Sequence, residues 1–359
     1  MTQAIPIPSQ PYFFQASARY MRPEELSTYQ TIEDLPFDLQ AMGTVVVHID
    51  FHGNVTHLQG PRAGTEGVKL GLTLQGEQHY PHEQVITESA YQLGATIERT
   101  NILKRIINGR VVIGGPGMNQ YVYAMSSDRW FAGQQEDQPG WLGIFTRFTG
   151  WRWIQVWSLK TVDTAQKMDP TAYENNMAIW DFNWICPIPY YSKPAVHKTW
   201  KAVGSTLDKD GYYHGTIALA NRGDIGTYVE YLVHGTGDCK VQDNQSSRMV
   251  QIPRIQASDG DVLVNTDPIH RTIIAENDPQ DDLLHKILRA SGILKFFLRG
   301  IPLPSGLPIW LRGYVRFMFQ IPPANTVTGD TGIVHLRVAH TNPNAEITAI
   351  VSQRFRRSR

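Results

Sequence analysis

From Gly43 onward the apolar residues recur mostly at every second position, in short runs bounded by Gly and Pro, a pattern that predicts β-strands buried on one face. "TVVVHIDFHG" is β-branched, and "VTHLQGP" and "GVKLGLTLQG" follow it with Gly and Pro at the breaks. In "WRWIQVWSL" the period of two puts Trp151, Trp153 and Trp157 on one face; in "AIWDFNWICP" it aligns Trp180, Phe182, Trp184 and Cys186. Beyond residue 205 the runs "HGTIALA", "TYVEYLVHG", "CKVQD", "RMVQIP", "DVLVN" and "RTII" come at the spacing of a β-sandwich. Strands resume at "YVRFMFQIP", "GIVHLRVAH" and "EITAIVSQRF".

Helical spacing interrupts this pattern in a few places. Pro81, Glu83 and Gly94 predict a short helix over 82–93, and "GPGMNQYVYAMSSDRWFAG" holds room for another. The clearest runs over 279–299, where Asp278 can cap and Leu283, Ile287, Ala290, Leu294 and Phe297 form one stripe before Gly300. Within "TIERTNILKRIINGRVVIGG", Asn108-Gly109 predicts a two-residue hairpin turn, because both residues accept positive φ. The three prolines of "PIPYYSKPAVHKTW" place the main boundary near 190–205. The expected fold is therefore mainly β: an extended arm over 1–40, a β-rich domain over 41–200, and a β-sandwich over 201–359 with one inserted helix.

Composition narrows the function classes. Lys+Arg and Asp+Glu both total 33, so the summed field gives no reason to expect a nucleic acid or an anionic membrane as the main partner. Charged residues make up 18% and aromatics 10% of the 359 residues, a balance that favours surface covered by other subunits. Cys186 and Cys239 are far apart in the chain, which argues against a disulfide framework or a thiolate zinc site. No run approaches the 18 apolar residues of a membrane span, and "MTQAIPIPSQPYFFQ" lacks the blocks of a signal peptide, so a soluble, unexported product is expected.

Candidate chemistry is sparse. On a strand, His48, Asp50 and His52 share a face and are the candidate metal ligands; the competing reading, preferred here, is a half-buried strand with Val45, Val47, Ile49 and Phe51 on the opposite face. "GGPGMN" and "GPRAGTEG" lack the Lys and Ser/Thr of a phosphate loop, and "NRGD" is ordinary turn chemistry. No Gly-x-Ser-x-Gly elbow, His-Glu-x-x-His helix or Cys-His pairing is present, while a carboxylate pair for glycoside hydrolysis is not excluded by sequence. Trp151, Trp153, Trp157, Trp180 and Trp184 are candidate interface aromatics, with sugar stacking as an alternative. Asp267-Pro268, with Arg271 four residues from Asp267, reads as a structural turn. Arg354, Arg356, Arg357 and Arg359 are candidate DNA-facing cations, with a solvated tail as the preferred reading. No catalytic residue and no cofactor is assigned.

One resemblance adds to this. The runs "ERTNILKRIINGRVVIGGPGMNQYVYAMSSDRWFAG", "GWRWIQV", "QKMDPTAYENN", "WDFNWICPIPYYSKP", "LANRGD", "RMVQIP", "VNTDPIHRTI", "AENDP" and "VAHTNPNAEITAIVSQRF" resemble the minor tail proteins of siphophages infecting actinobacteria, of mycobacteriophage type, and more narrowly the distal tail protein. The resemblance spans roughly residues 85–355, leaves 1–40 uncovered, and lies in the order of the segments. It implies an N-terminal β-rich domain that closes into a homohexameric ring and a C-terminal galectin-like sandwich. The partners it implies are other copies of the chain, the tail tube protein, a baseplate or tail-associated fibre protein and the tape measure protein. It implies no membrane, with DNA met only in passage through the channel. The implied location is the virion tail tip, after assembly in the host cytoplasm; a carbohydrate-binding minor tail protein is the alternative. The family implies no catalytic residues.

Overall fold

The alternating runs do form strands. The computed structural model describes residues 43–359 except 89–90, 92, 116, 165–175, 269–271, 278–308, 310–311, 314 and 325–331. The 1–40 arm and the 279–299 helix lie outside the described residues. The fold is mainly β, with a single α-helix among the described residues, and the chain divides into two compact units. One runs up to Pro194 and takes back Phe355–Arg359; the other is Ala195–Arg354.

The first unit begins with β1 (Val45–Ile49), β2 (Val55–Gln59), β3 (Val68–Gln75), β4 (His82–Thr87), β5 (Thr96–Ile102) and β6 (Arg105–Gly114). Helix α1 (Gln120–Ala132) follows, then β7 (Gly140–Thr146), β8 (Gly150–Ser158), β9 (Asp163–Thr164) and β10 (Met177–Cys186). β11 (Tyr191–Lys201) carries the chain out of this unit. Antiparallel pairing gives the order β2-β1-β7-β8, and β8 also meets β10, which pairs with β6, itself paired with β3. Val46, Leu58, Leu142, Ile144, Ile154 and Val156 from the first group face Ile107, Val111, Ile113, Phe182 and Trp184 from the second. Helix α1 closes this core with Tyr123 and Trp130, spaced so that both share one face with Ser126. Its N-cap is Asn119, whose side chain accepts from the Tyr121 amide at 2.8 Å. On the other face of β1, Val45, Val47 and Ile49 join Phe145, Trp151 and Trp153 in a second cluster. All of β1 is buried, so the expectation of a half-buried strand with a polar side is corrected.

Two local readings are also corrected. Asn108-Gly109 is not a turn: β6 runs through it for ten residues, with Asn183 opposite Asn108 and Phe182 opposite Gly109. A Cβ on Gly109 would lie 2.3 Å from Phe182 Cζ and 2.8 Å from Leu74 Cδ2, so glycine is there to admit a ring. The helix expected to start at 82 is corrected as well. Its first six residues form β4, where β-branched Val85, Ile86 and Thr87 pair with β5. Pro81 instead accepts from the Leu103 amide at 3.0 Å, and Gly94 supplies a φ of +87° between the strands.

The second unit is a two-layer sandwich. Its strands are β12 (Tyr213–Ala220), β13 (Val229–His234), β14 (Gly237–Gln242), β15 (Met249–Ile255), β16 (Val262–Asn265), β17 (Ile273–Ala275), β18 (Ile333–His340) and β19 (Glu346–Phe355), the last ending where the chain rejoins the first unit. One layer has the order β12-β18-β14-β15 and the other β17-β16-β13-β19. Ile217, Leu336, Val338, Val241 and Ile252 pack against Val229, Tyr231, Val233, Val264 and Ala349 between them. The strand expected over "YVRFMFQIP" is corrected: apart from a lone bridge between Ile321 and Thr227, its described residues are irregular. A buried carboxylate takes the place of a ladder partner, since Asp243 accepts from the amides of Met318 (3.1 Å) and Phe319 (3.3 Å).

A substitution separates the two accounts of Gly109. Gly109→Ala is expected to cost about 2–3 kcal/mol through overpacking against Phe182. Gly94→Ala, with nothing within 4 Å of the new Cβ, is expected to cost only about 1 kcal/mol for its positive φ. Urea denaturation of the two variants checks the order.

Candidate interaction hairpin and the predicted site residues

Strands β4 and β5 form a two-stranded sheet of their own. Opposed pairs share a face, so His82/Ile102, Gln84/Thr100 and Ile86/Ile97 line one side, while Glu83/Asn101 and Val85/Arg99 line the other. The register shifts between Val85 and Ile86, and Thr87 Oγ1 donates to Glu98 at 2.9 Å. Neither side is covered. Ile86 is 50% exposed and Ile97 56%, and at the tip Tyr91 and Leu93 reach 101% and 104%. A lone two-stranded hairpin is marginal in water, and its free edges can accept another chain.

The root of this hairpin is its opposite in character. Arg105, the first residue after the return, is fully buried. Its guanidinium donates to the carbonyls of Pro189 (3.0 Å), Gly76 (3.3 Å), Glu77 (2.6 Å) and Arg356 (2.8 Å), and lies 4.8 Å over the Tyr191 ring. Burial pushes the Tyr191 hydroxyl far up its scale, so it stays protonated and donates to the Glu77 carbonyl at 3.1 Å.

The predicted metal ligands do not converge. His48 is buried, stacked on Trp184 at 4.8 Å, with Gly140 so close that a Cβ there would lie 2.8 Å from Nε2. Asp50 accepts from the amide and side chain of Asn54 at 2.8 and 2.9 Å, and His52 is exposed beside Phe51. Among the described residues no group of three or more His, Cys, Asp or Glu could hold a metal ion. Both cysteines are buried, and burial pushes each thiol up to about 12.

The tryptophans divide. Trp151, Trp153 and Trp184 are buried inside the chain's own core, which corrects the interface reading for these three. Trp157 and Trp180 are half-buried, and Trp180 meets Phe131 of α1 edge-on at 5.0 Å. In the turn after β16, the Asp267 amide donates to Asn265 Oδ1 at 2.9 Å, and the Arg354 guanidinium lies 3.7 Å from the Asp267 carboxylate. Pro268 is exposed, and Arg271 lies outside the described residues. The arginines after Phe355 do not form a free tail. Arg359 pairs with the buried Glu77 carboxylate, and the carbonyls of Arg356 and Arg357 accept from Arg105 and Arg152.

No protein-family model and no curated protein matches the chain. Among solved structures it is similar to the SPP1 Dit (gp 19.1) protein, a hub of the adsorption apparatus in phages infecting Gram-positive bacteria, at 11% identity and a TM-score of 0.47, covering 88% of this chain and 100% of that one. It is also similar to the phage P2 baseplate in its activated conformation, with Ca (9% identity, TM-score 0.42, 87% of this chain and 98% of that one) and with Sr (9%, 0.41, 86% and 98%).

The hairpin escaped sequence reading because Pro81, Glu83 and Gly94 imitate helix punctuation. The β-branched runs Val85-Ile86-Thr87 and Thr96-Ile97 were the signal available.

His48 gives the first unit a pH dependence. Burial lowers its pKa from 6.5 to about 4, against a small opposing effect of Asp50. The neutral ring is favoured in the fold, so its contribution is complete above pH 6.5 and disappears as pH falls through 4; by pH 4.5 the loss is about 2.5 kcal/mol. Glu230, in the second unit, has the opposite sign, because burial raises it from 4.5 to about 7 and its contribution is lost as pH rises through that value. Urea unfolding followed by tryptophan fluorescence at pH 7 and 4.5 is expected to show a smaller loss in His48→Gln than in the parent chain.

Proposed function

We propose that the protein is a structural component of a phage tail tip: a distal tail hub whose copies close into a homohexameric ring. That ring joins the tail tube to baseplate or fibre proteins and leaves a channel for DNA. The observation that carries this reading is the uncovered hairpin, an element too weak to stand alone and furnished with isoleucines on one face. The ordered series of segments that resembles distal tail proteins supplies the setting. Burying the exposed parts of Ile86, Ile97 and Ile102 is worth on the order of 1 kcal/mol each. A hairpin on one copy seated on a different surface of the next makes a heterologous contact, and such contacts close into rings when the rotation permits. Each should bury more than about 1,000 Å².

The role proposed is architecture rather than chemistry. The carbohydrate-binding alternative has lost three of the five tryptophans that prompted it, since Trp151, Trp153 and Trp184 pack inside the chain.

Ile86→Glu/Ile97→Glu tests the reading. Native mass spectrometry of the parent chain is expected to give a ring and that of the double variant a monomer, with circular dichroism unchanged. Identical assembly of the two chains would refute the role given to the hairpin.

A further inference from the structure

The described residues of β4 and β5 are mostly exposed, so the hairpin's direction is decided where it joins the rest of the first unit. That root is tight. Gly76 has a φ of +79°, and a Cβ on it would lie 2.1 Å from the Ile106 carbonyl oxygen, so the outgoing and returning strands touch through backbone. Arg105 then ties the outgoing segment, through the Gly76 and Glu77 carbonyls, to the Arg356 carbonyl.

Residues 355–359 add five more ties around the same place. Arg359 pairs with Glu77, itself 1% exposed, and donates to Thr44 Oγ1 at 3.1 Å. Arg152 donates to the Arg357 carbonyl at 2.8 Å, and its guanidinium lies 4.2 Å over the Phe355 ring. Arg356 reaches over Tyr80, 5.6 Å from the ring centroid, at the step before β4. Ser358 is fully buried and Phe355 sits in the core. We propose that Phe355–Arg359 is a strap that fixes the direction of the β4–β5 hairpin. Two of its cations are engaged inside the chain, Arg359 on Glu77 and Thr44 and Arg356 on Tyr80.

The physical case rests on Arg105. A buried guanidinium with only carbonyl acceptors tolerates no lost partner, because an unpaired buried donor costs more than a hydrogen bond gains. Holding Arg356 in place therefore holds Arg105, and Arg105 holds both feet of the hairpin. The strap's use, though not its existence, rests on the assembly role proposed above.

Spin labels test it directly. Leu93→Cys at the hairpin tip and Phe148→Cys in the β7–β8 turn are 104% and 93% exposed in the native residues, while Cys186 and Cys239 are buried and slow to label. The measurement is double electron–electron resonance on the full chain in the Ile86→Glu/Ile97→Glu background, diluted with unlabelled chain, so that no neighbouring copy can hold the tip. A narrow distance distribution is expected with the strap intact, and one at least twofold broader in Arg356→Ala/Arg359→Ala, which removes only exposed or half-exposed side chains. A chain ending at Arg354 should broaden further wherever circular dichroism shows it folded; if it does not fold, the width of the double variant decides. Equal widths in parent and double variant overturn the strap. Broadening together with unchanged assembly of the Ile86→Glu/Ile97→Glu chain keeps the strap and removes the hairpin from the ring contact.

Discussion

Phe182 lies where a side chain on residue 109 would be, and the shape of the first unit follows from that contact. Because Gly109 admits the ring, β6 can pair with β10 along its whole length, from Arg105 opposite Cys186 to Gly114 opposite Met177. An unbroken β6 has no room for a turn at Asn108-Gly109. The reversal that a reader of the sequence expects there must then occur upstream, and the residues between β3 and β6 leave the sheet as a ribbon. The same straight strand brings Arg105 to its inner end, where the guanidinium finds four carbonyls.

How much of this was legible depends on which forces were local. In the second unit, where strands alternate cleanly and each buries one face, the runs "HGTIALA", "TYVEYLVHG" and "EITAIVSQRF" correspond to β12, β13 and β19. Alternation is enough when the partner is simply another sheet. It fails where a long-range contact overrides a local preference. Asn-Gly prefers a turn by its own torsions, but Phe182 is 73 residues away in sequence from Gly109 and wins. The "YVRFMFQIP" run fails similarly, since nothing nearby announces that Asp243 will accept its amides. In β1 the polar positions misled, because His48 is polar by composition yet behaves as an aromatic plate on Trp184.

Low charge content shifts work onto a few buried ions. Asp243 and Asp259 each hold irregular backbone: the first takes the Met318 and Phe319 amides, and the second grips Arg312 with two bonds of 2.6 Å while accepting from the Gln256 amide. Arg105 does the same with its sign reversed. Such groups weaken a fold if one partner is removed, so they select a single arrangement rather than adding much net stability. That explains why segments as distant as Gly76, Pro189 and Arg356 meet at one guanidinium.

A ribbon that offers free edges and isoleucines to solvent is an aggregation hazard unless something limits what can pair with it. Here the limits are visible in the ribbon. Glu83 and Arg99 occupy the face opposite Ile86 and Ile97, and the irregular register beside Val85 twists the strands out of a flat template. These devices oppose indiscriminate stacking but leave the isoleucine face open, which is the arrangement required of a surface meant for one partner. Selectivity then needs the face to arrive at a fixed angle, because a freely swinging ribbon would meet wrong surfaces as often as the right one. A fixed angle cannot come from a ribbon whose described strands are mostly exposed; it has to come from the buried arginine and the segment bonded to it at the root.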